Sequence, residues 1–259
     1  MTTVIEERTT LDLSHTPKVS LTRLVRAELR KMADTRAGMW LLVTIAAITT
    51  AIIVGFFFAA PESERTFANF IGVTATPQGF LLPVLGILLV TSEWGQRTAL
   101  VTFTLTPVRS RVLTAKVIAA VLLGLAAIVV AIAVAALATV VAGTADAWQG
   151  IGWDSFAKFS LLQTLAILQG VAFGLLILNS AAAIVTFFLV PPAFSILASL
   201  WTKMTDIQPW VDLGFAQEPL FSGQNVTTDQ WQHLASGVAI WIVLPIVIGC
   251  VRVLRSEVK

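Results

Sequence analysis

One polar stretch, residues 91–116, separates two long apolar runs and carries five charges in 26 residues. These are Glu93, Arg97, Arg109, Arg111 and Lys116. Acidic and basic side chains at this density can form ion pairs or bind another protein. Glu93 precedes Arg97 by four residues, which is the favourable order for an ion pair on a helix. Because a polar insert between apolar segments must reach water, we expect the stretch to lie on one side of a bilayer.

The sequence lacks the common motifs for nucleotide and metal chemistry. It contains no G-x-x-x-x-G-K-[ST] loop for phosphate and no H-E-x-x-H pair. The single Cys250 permits no disulfide within the chain. The apolar runs carry no charge in their interiors, which counts against a proton-coupled or ion-coupled carrier. We therefore expect no catalytic residue, no metal site and no cofactor bound by this chain.

The composition indicates a membrane protein. The chain is 56% hydrophobic and 12% charged, whereas soluble proteins are about 45–50% apolar and about 25% charged. A rise of ~1.5 Å per residue lets about 20 residues cross a hydrocarbon core of roughly 30 Å. Six runs approach or exceed that length: 38–60, 70–92, 115–142, 157–178, 181–201 and 236–254. The prediction is an all-α integral membrane domain over 18–259 with six transmembrane helices, after a flexible tail at 1–17.

Three patterns predict local structure near the polar stretch. Thr106 followed by Pro107 indicates a helix N-cap with proline at the first helical position, and so the start of the third span. Residues 101–106 alternate apolar side chains with Thr, which is typical of a strand. The 70–92 run is interrupted by polar residues and Pro83, so its first third is predicted to be a loop or a helix cap.

The segment before the first span is an amphipathic helix. Five apolar residues fall within about a 140° arc: Leu21, Leu24, Val25, Leu29 and Met32. The bases Arg23, Arg26, Arg30 and Lys31 lie off that arc. We expect the helix to lie in the headgroup layer with these bases in water. Glu28 falls on the apolar face, where an unpaired carboxylate is costly.

The distribution of basic residues predicts the orientation of the chain. With both termini on one side, 14 of the 17 Lys and Arg residues share that side, and only Arg65, Lys158 and Lys203 lie on the other. The positive-inside rule then places both termini and residues 91–116 in the cytoplasm, and 202–235 outside the cell. We expect a multi-pass protein of the plasma membrane.

Small and polar residues within the runs have two interpretations. Gly170 and Gly174 stand at four-residue spacing and would let a neighbouring helix approach closely. Seven polar residues could hydrogen-bond between helices or line a weakly polar substrate path, and the sequence leaves both open. They are Thr44, Thr49, Thr50, Gln163, Gln169, Thr186 and Ser195, of which Thr44, Gln163, Gln169 and Thr186 are the candidates for the path.

The chain resembles the ABC-2 type transporter permeases, in particular the single-domain permeases of actinobacteria. The matching residues are Ser92-Glu93-Trp94-Gly95-Gln96-Arg97-Thr98, then Thr106-Pro107-Val108-Arg109-Ser110-Arg111, then Lys116. The resemblance extends to the basic amphipathic helix, the polar segment before the last span and the basic C-terminus. It covers essentially the whole chain after residue 17.

The resemblance implies the membrane subunit of an ATP-driven exporter, which works with ABC ATPase subunits and a second permease copy or paralogue. ATP and Mg would be bound by the partner ATPase, and no nucleic acid is expected as a partner. Residues 93–114 would dock on the ATPase as a coupling segment through Glu93, Gly95, Arg97, Thr98, Pro107, Arg109 and Arg111. The N-terminal helix, with Arg23, Arg26, Glu28 and Arg30, would be the elbow helix, and 202–235 would form short extracellular helices.

The resemblance also suggests a purpose for Glu28. We hypothesise that it pairs with Arg97, with Arg111 or with a base of the ATPase; alternatively, the helix is tilted and Glu28 reaches water. The expected cargo is apolar or amphipathic, such as a drug, a natural product or a lipid. Two other functions stay open: a membrane scaffold or assembly protein that transports nothing, and an intramembrane enzyme, which would need paired acids or histidines at membrane depth.

Overall fold

The computed structural model describes residues 19–96, 98–106, 108–144, 146–148, 152–221 and 225–255, and every regular element within these ranges is helical. The α-helices are α1 (Leu21–Asp34), α2 (Arg36–Ala59), α3 (Phe67–Gly95), α4 (Ala99–Leu105), α5 (Arg109–Ala142), α6 (Trp153–Ile177), α7 (Ser180–Leu200), α8 (Gln208–Val211), α9 (Leu213–Phe221), α10 (Thr228–Val238) and α11 (Leu244–Arg255). A π-helical segment, Ala239–Val243, joins α10 to α11. Short 3-10 turns lie at Glu62–Glu64 and Thr202–Met204.

Within the described residues, six helices are long and apolar enough to cross a membrane. They are α2, α3, α5, α6, α7 and the continuous helix Thr228–Arg255. Many of their apolar side chains stay exposed in the isolated chain, for example Val129 at 63% and Leu189 at 63%. Exposed apolar surface of this extent suits contact with lipid rather than water. The all-α membrane fold is therefore confirmed, and the chain is a multi-pass membrane protein.

The start of α3 corrects one prediction. Residues 70–77 belong to a continuous helix that begins at Phe67 and runs through Pro77 and Pro83, rather than to a loop or a cap. The Thr66 hydroxyl accepts a hydrogen bond from the backbone N–H of Asn69 and caps the helix. Phe67 and Phe70 pack in a buried cluster with α2, α5 and α6. This packing stabilises the first turns and overrides their polar composition.

The strand-like alternation at 101–106 was also misleading, because these residues lie mostly in α4. Ala99 and Phe103 are four residues apart, so they share one helical face, and both are buried in the main core cluster. Thr106 ends α4, its amide donating to the Thr102 carbonyl at 2.9 Å. The N-cap of α5 is Val108, so the prediction for Thr106 was wrong. Pro107 lies outside the described residues.

The core is built on close contact between α3 and α6, as the small residues predicted. A Cβ added at Gly170 would overlap the backbone of Pro83. A Cβ at Gly174 would lie 3.2 Å from the Ile87 Cα. Small residues that let helix backbones approach in this way maximise van der Waals contact where no hydrophobic driving force acts between helices. These two helices therefore form the rigid centre of the bundle.

The bundle has two ends, which we name by the elements found there. The α1 end holds α1, α4, the beginning of α5 and the C-terminus of α11, where Arg109 donates to the Val253 carbonyl at 2.9 Å. The α9 end holds α8, α9 and the turn before α3, where the Phe67 amide donates to the Ala147 carbonyl at 2.9 Å. A distinctive group of polar side chains lies at each end.

Candidate functional site

Four charged side chains meet at the α1 end, and we call them the ionic cluster: Glu28, Lys31, Glu93 and Lys116. The Lys31 Nζ lies 2.7 Å from Glu28 Oε1 and 2.6 Å from Glu93 Oε1. The Lys116 Nζ lies 2.6 Å from Glu28 Oε2 and 3.5 Å from Glu93 Oε1. Each carboxylate therefore contacts both ammonium groups, and the four formal charges cancel.

Three members of the cluster are almost completely buried. The exposed fraction is 4% for Glu28, 2% for Glu93 and 1% for Lys116. Removing a charge from water costs several kcal/mol per ion even after relaxation, and only close pairing offsets that cost. Lys31 differs, because its side chain keeps 39% of its surface exposed. The cluster is thus a buried network with one edge open to water.

The cluster joins four helices at one place. Glu28 projects from the apolar face of α1, and Lys116 lies in the second turn of α5. Glu93 comes from the last turn of α3, and the Lys116 ammonium also donates to the Leu89 carbonyl of that helix at 3.2 Å. Helix α4 joins through Thr102, whose hydroxyl donates to Glu93 Oε1 at 3.0 Å. The positions of α1, α3, α4 and α5 therefore depend on one another.

One oxygen of Glu93 has no hydrogen-bond donor. Oε1 accepts from Lys31 and Thr102, whereas the buried Oε2 has no partner among the described residues. A buried acceptor without a donor costs about 1–3 kcal/mol. Glu93 is therefore the member of the cluster with the least complete hydrogen bonding, and it lies where α3, α4 and α5 meet.

Burial and ion pairing act on Lys31 in opposite directions. Burial alone would lower the pKa of Lys31, because it disfavours the ammonium. The Glu28 and Glu93 carboxylates outweigh burial and raise the pKa above its ordinary value of 10.5. Lys31 is therefore charged at physiological pH and completes the neutral cluster.

Helix α4 has one buried face and one exposed apolar face. Phe103 packs beside Trp94, with ring centroids 6.3 Å apart, and the Arg109 guanidinium lies 5.2 Å from the Phe103 ring. The opposite face exposes Leu100 at 51%, Val101 at 57% and Leu105 at 75%. Helix α4 lies outside the six spans. Its exposed face, Leu100, Val101 and Leu105, is an apolar surface of the kind that contacts a partner protein or a membrane.

The structure changes the roles expected of several predicted residues. Glu28 pairs with Lys31 and Lys116, so the hypothesis of a pair with Arg111 is wrong. Arg97, its other expected partner within the chain, lies outside the described residues. Lys31 was expected in water and instead contacts two carboxylates. Lys116 was overlooked as a partner, although it is a base at the edge of an apolar run and could have been matched with an acid on an apolar face.

The other coupling and elbow residues surround the cluster. Gly95 ends α3 and Thr98 precedes α4, the Thr98 amide donating to the Glu93 carbonyl at 2.9 Å. Arg111 is half-buried in the first turn of α5. Arg23, Arg26 and Arg30 are exposed along α1, as their position off the apolar arc predicted.

The four residues of the possible substrate path lie on three spans, α2, α6 and α7. Gln169 lines a cavity at the α9 end, and Thr44, Gln163 and Thr186 do not. Gln163 is buried, whereas Thr44 and Thr186 are half-buried. Hydrogen bonds between spans are made by Gln78, whose Nε2 lies 3.4 Å from Thr49 Oγ1 and 3.3 Å from the Ala127 carbonyl, and by Thr91 and Ser180, whose hydroxyl oxygens lie 2.7 Å apart.

The fold and the ionic cluster define a class, a six-span α-helical membrane protein with a polar network at one end. No protein-family model matches the sequence, and no curated protein matches it. In the described part of the chain, no group of three or more His, Cys, Asp or Glu residues is placed to hold a metal ion. The geometry of the ionic cluster and of α4 is therefore the basis for a proposed function.

Proposed function

We propose that this chain is the permease subunit of an ATP-driven ABC exporter of the plasma membrane, working as a homodimer or heterodimer. The observation that carries the proposal is α4, a short helix between the second and third spans that exposes Leu100, Val101 and Leu105 outside the membrane-spanning segments. A helix in this position can receive force from a separate protein. Its hydrogen bond to Glu93 can pass that force to the spans.

In this proposal the α1 end faces the cytoplasm. Of the 13 Lys and Arg residues in the described part of the chain, ten lie at the α1 end and three, Arg65, Lys158 and Lys203, at the α9 end. The positive-inside rule supports this orientation. It puts α4 on the side where ATP is available, and ATP and Mg are bound by the partner ATPase.

Closure of the ATPase pair on ATP displaces α4, and the ionic cluster transmits the displacement. Helix α4 is bonded to the end of α3 through Thr102 and Glu93, and that end is ion-paired to α1 and α5. Movement of α4 thus tilts spans that begin at the cluster. The cargo is apolar or amphipathic, in keeping with spans whose surfaces are largely uncharged.

The test is co-expression with ABC ATPase subunits of the same genome, beginning with any encoded next to this chain, followed by purification in detergent. The exposed face of α4 is altered by Leu105→Ser, with Leu200→Ser as the matched control. Both leucines are 75% exposed and lie at the end of a helix, but Leu200 is at the α9 end. We expect Leu105→Ser to reduce recovery of the ATPase by about tenfold, the loss expected for an interface anchor, and Leu200→Ser to leave it unchanged.

Equal recovery of the ATPase by both variants would show that α4 is not the docking surface. Failure of every ATPase to co-purify with the unaltered chain would remove the permease proposal. A membrane scaffold would then be the next function to test.

A further inference from the structure

A cavity of about 200 Å³ lies at the α9 end, between α3, α6, α7, α9 and the π-helical segment. It is separate from the ionic cluster, and none of the cluster residues lines it. Its position beside Pro191 and Pro192 places it where α7 has lost two backbone donors. A concave site with a few polar groups and mostly apolar walls is the usual form of a small-molecule pocket.

The walls of the cavity are aromatic. Phe80, Phe187, Phe188 and Trp241 line it. The Trp241 indole N–H donates to the Val211 carbonyl at 2.7 Å, and its ring stacks on Phe173 with centroids 6.4 Å apart. The ring is thus held in place while its polar atom is already satisfied. Aromatic faces fixed in this way attract cations through their quadrupoles.

The polar wall of the cavity carries one acid, Asp212, which is 2% exposed. Its Oδ1 accepts from the Ser195 hydroxyl at 2.8 Å, the Gly214 amide at 3.0 Å and the Phe215 amide at 3.3 Å. Its Oδ2 accepts from one donor, the Gln208 amide group at 3.1 Å. A carboxylate offers about four acceptor positions, so Oδ2 keeps capacity for another contact.

These four donors are neutral, so they position Asp212 without cancelling its charge. No Lys, Arg or His of the described residues lies within 4.0 Å of the Asp212 carboxylate. The charges of the ionic cluster cancel at the opposite end of the bundle, whereas the charge of Asp212 has no counter-ion among the described residues. The desolvation cost of a buried charge is not offset when no counter-ion lies beside it.

We propose that this cavity binds a small organic cation, an aromatic or quaternary ammonium ion. The aromatic walls contact the cationic head and its apolar substituents, Asp212 supplies the opposite charge, and Gln169 offers a polar contact. A quaternary ammonium needs no hydrogen-bond partner, which suits a carboxylate whose donors are already in place. Identification of the cavity as the cargo site of an exporter rests on the proposed function, whereas binding itself does not.

The experiment measures binding of benzyltrimethylammonium to the full chain in phosphatidylcholine nanodiscs by equilibrium dialysis. Saturable binding at one site per chain is expected. Neopentylbenzene, the uncharged carbon isostere of this cation, should not compete for that site. Asp212→Asn removes the charge, and Asn caps helices as well as Asp does, so the start of α9 is preserved. We expect this variant to lose about tenfold or more in affinity, because the ion pair is lost from a low-dielectric site.

Two further variants complete the test. Asp206→Asn alters an exposed acid at the same end of the bundle and should bind as the unaltered chain does. Phe188→Leu changes an aromatic wall that is 37% exposed, so the fold tolerates it, and the affinity should fall by about threefold or more through loss of the cation–π contact.

The proposal is overturned if the unaltered chain shows no saturable binding. It is also overturned if neopentylbenzene competes as well as the cation, or if neither Asp212→Asn nor Phe188→Leu lowers the affinity. None of these outcomes bears on recovery of the ATPase, so failure of the cation site and failure of the permease proposal are distinguishable.

Discussion

Replacement of Lys116 by Met should destabilise the protein more than any other single change of a basic residue in the described part of the chain. Met fills a similar volume without the charge. It removes the 2.6 Å pair with Glu28, the 3.5 Å pair with Glu93 and the 3.2 Å hydrogen bond to the Leu89 carbonyl. The cluster would then hold two carboxylates and one ammonium, and its net charge would change from zero to −1.

The magnitude follows from burial. Removal of one partner of a buried ion pair costs about 3–5 kcal/mol, because the remaining charge is left without compensation. We expect a loss near the lower limit, about 3 kcal/mol, since Lys31 still donates to both carboxylates and lies partly in water. Adding Glu28→Gln makes the cluster neutral again. The loss of stability in the double variant should be smaller than the sum of the two single losses by about 1–2 kcal/mol, which is a typical coupling energy for contacting residues.

The assay is unfolding of the purified chain in mild detergent by titration with sodium dodecyl sulfate, followed by tryptophan fluorescence. The four proteins of the double-mutant cycle are compared with Lys203→Met, which removes an exposed lysine at the α9 end. That control should change the free energy of unfolding by no more than about 0.5 kcal/mol.

Two results would refute the reasoning. If Lys116→Met costs no more than Lys203→Met, the cluster is not a buried charge network. If the losses from Lys116→Met and Glu28→Gln are additive, the two side chains do not interact, and the geometry of the cluster is wrong.

Three other predictions concern packing, transmission and pH. Gly170→Ala should cost about 1–3 kcal/mol by forcing α6 from α3, whereas Gly72→Ala, with open space around it, should not destabilise in the same assay. Thr102→Val should preserve binding of the ATPase but lower the stimulation of its activity by the permease. Thr104→Val should leave that stimulation unchanged, because the Thr104 hydroxyl hydrogen-bonds only within α4. The stabilisation that Lys31 gives, measured against Lys31→Met, should be constant below its unfolded pKa of about 10.5 and disappear as pH rises through the raised folded pKa.

Each of these predictions has a clear contrary result. Equal stability of the two glycine variants would mean that α3 and α6 are not in close contact. Equal ATPase stimulation by the two threonine variants would mean that the hydrogen bond to Glu93 transmits nothing. A Lys31 contribution that disappears as pH rises from about 8 to about 9 would contradict a raised pKa, because the ammonium would then lose its proton too early.

The six spans could be predicted because length and lack of charge nearly determine them. The boundaries were harder, and the third span shows why. The apolar run starts at residue 115 and the Thr106-Pro107 pattern predicted a helix start at residue 107, whereas α5 starts at Arg109 and buries Lys116 against Glu28. A side chain paired across 88 positions of sequence is invisible to a local pattern.

The two candidate sites differ in how far the sequence reveals them. Glu28 was conspicuous as an acid on an apolar face, so a partner could be expected even though the wrong one was named. The cation cavity gave two partial signals, Gln169 and Ser195, because its walls come from α3, α6, α7 and α9 and exist only after assembly. Asp212 looked like any acid of an outer loop until its burial became visible.

The unequal strength of the contacts around Glu93 indicates which helices can move. Helix α1 is fixed to α5 and α3 by charged contacts through Glu28, Lys31 and Lys116. The side-chain hydrogen bond that joins α4 to the cluster has a neutral donor, Thr102. The Thr102 hydroxyl carries no net charge, so its Coulomb attraction to the Glu93 carboxylate is weaker than that of an ammonium group. A force applied to α4 should therefore break the hydrogen bond between Thr102 and Glu93 before it separates α1 from α5. Below the force that breaks this bond, α1, α3 and α5 should move as one body.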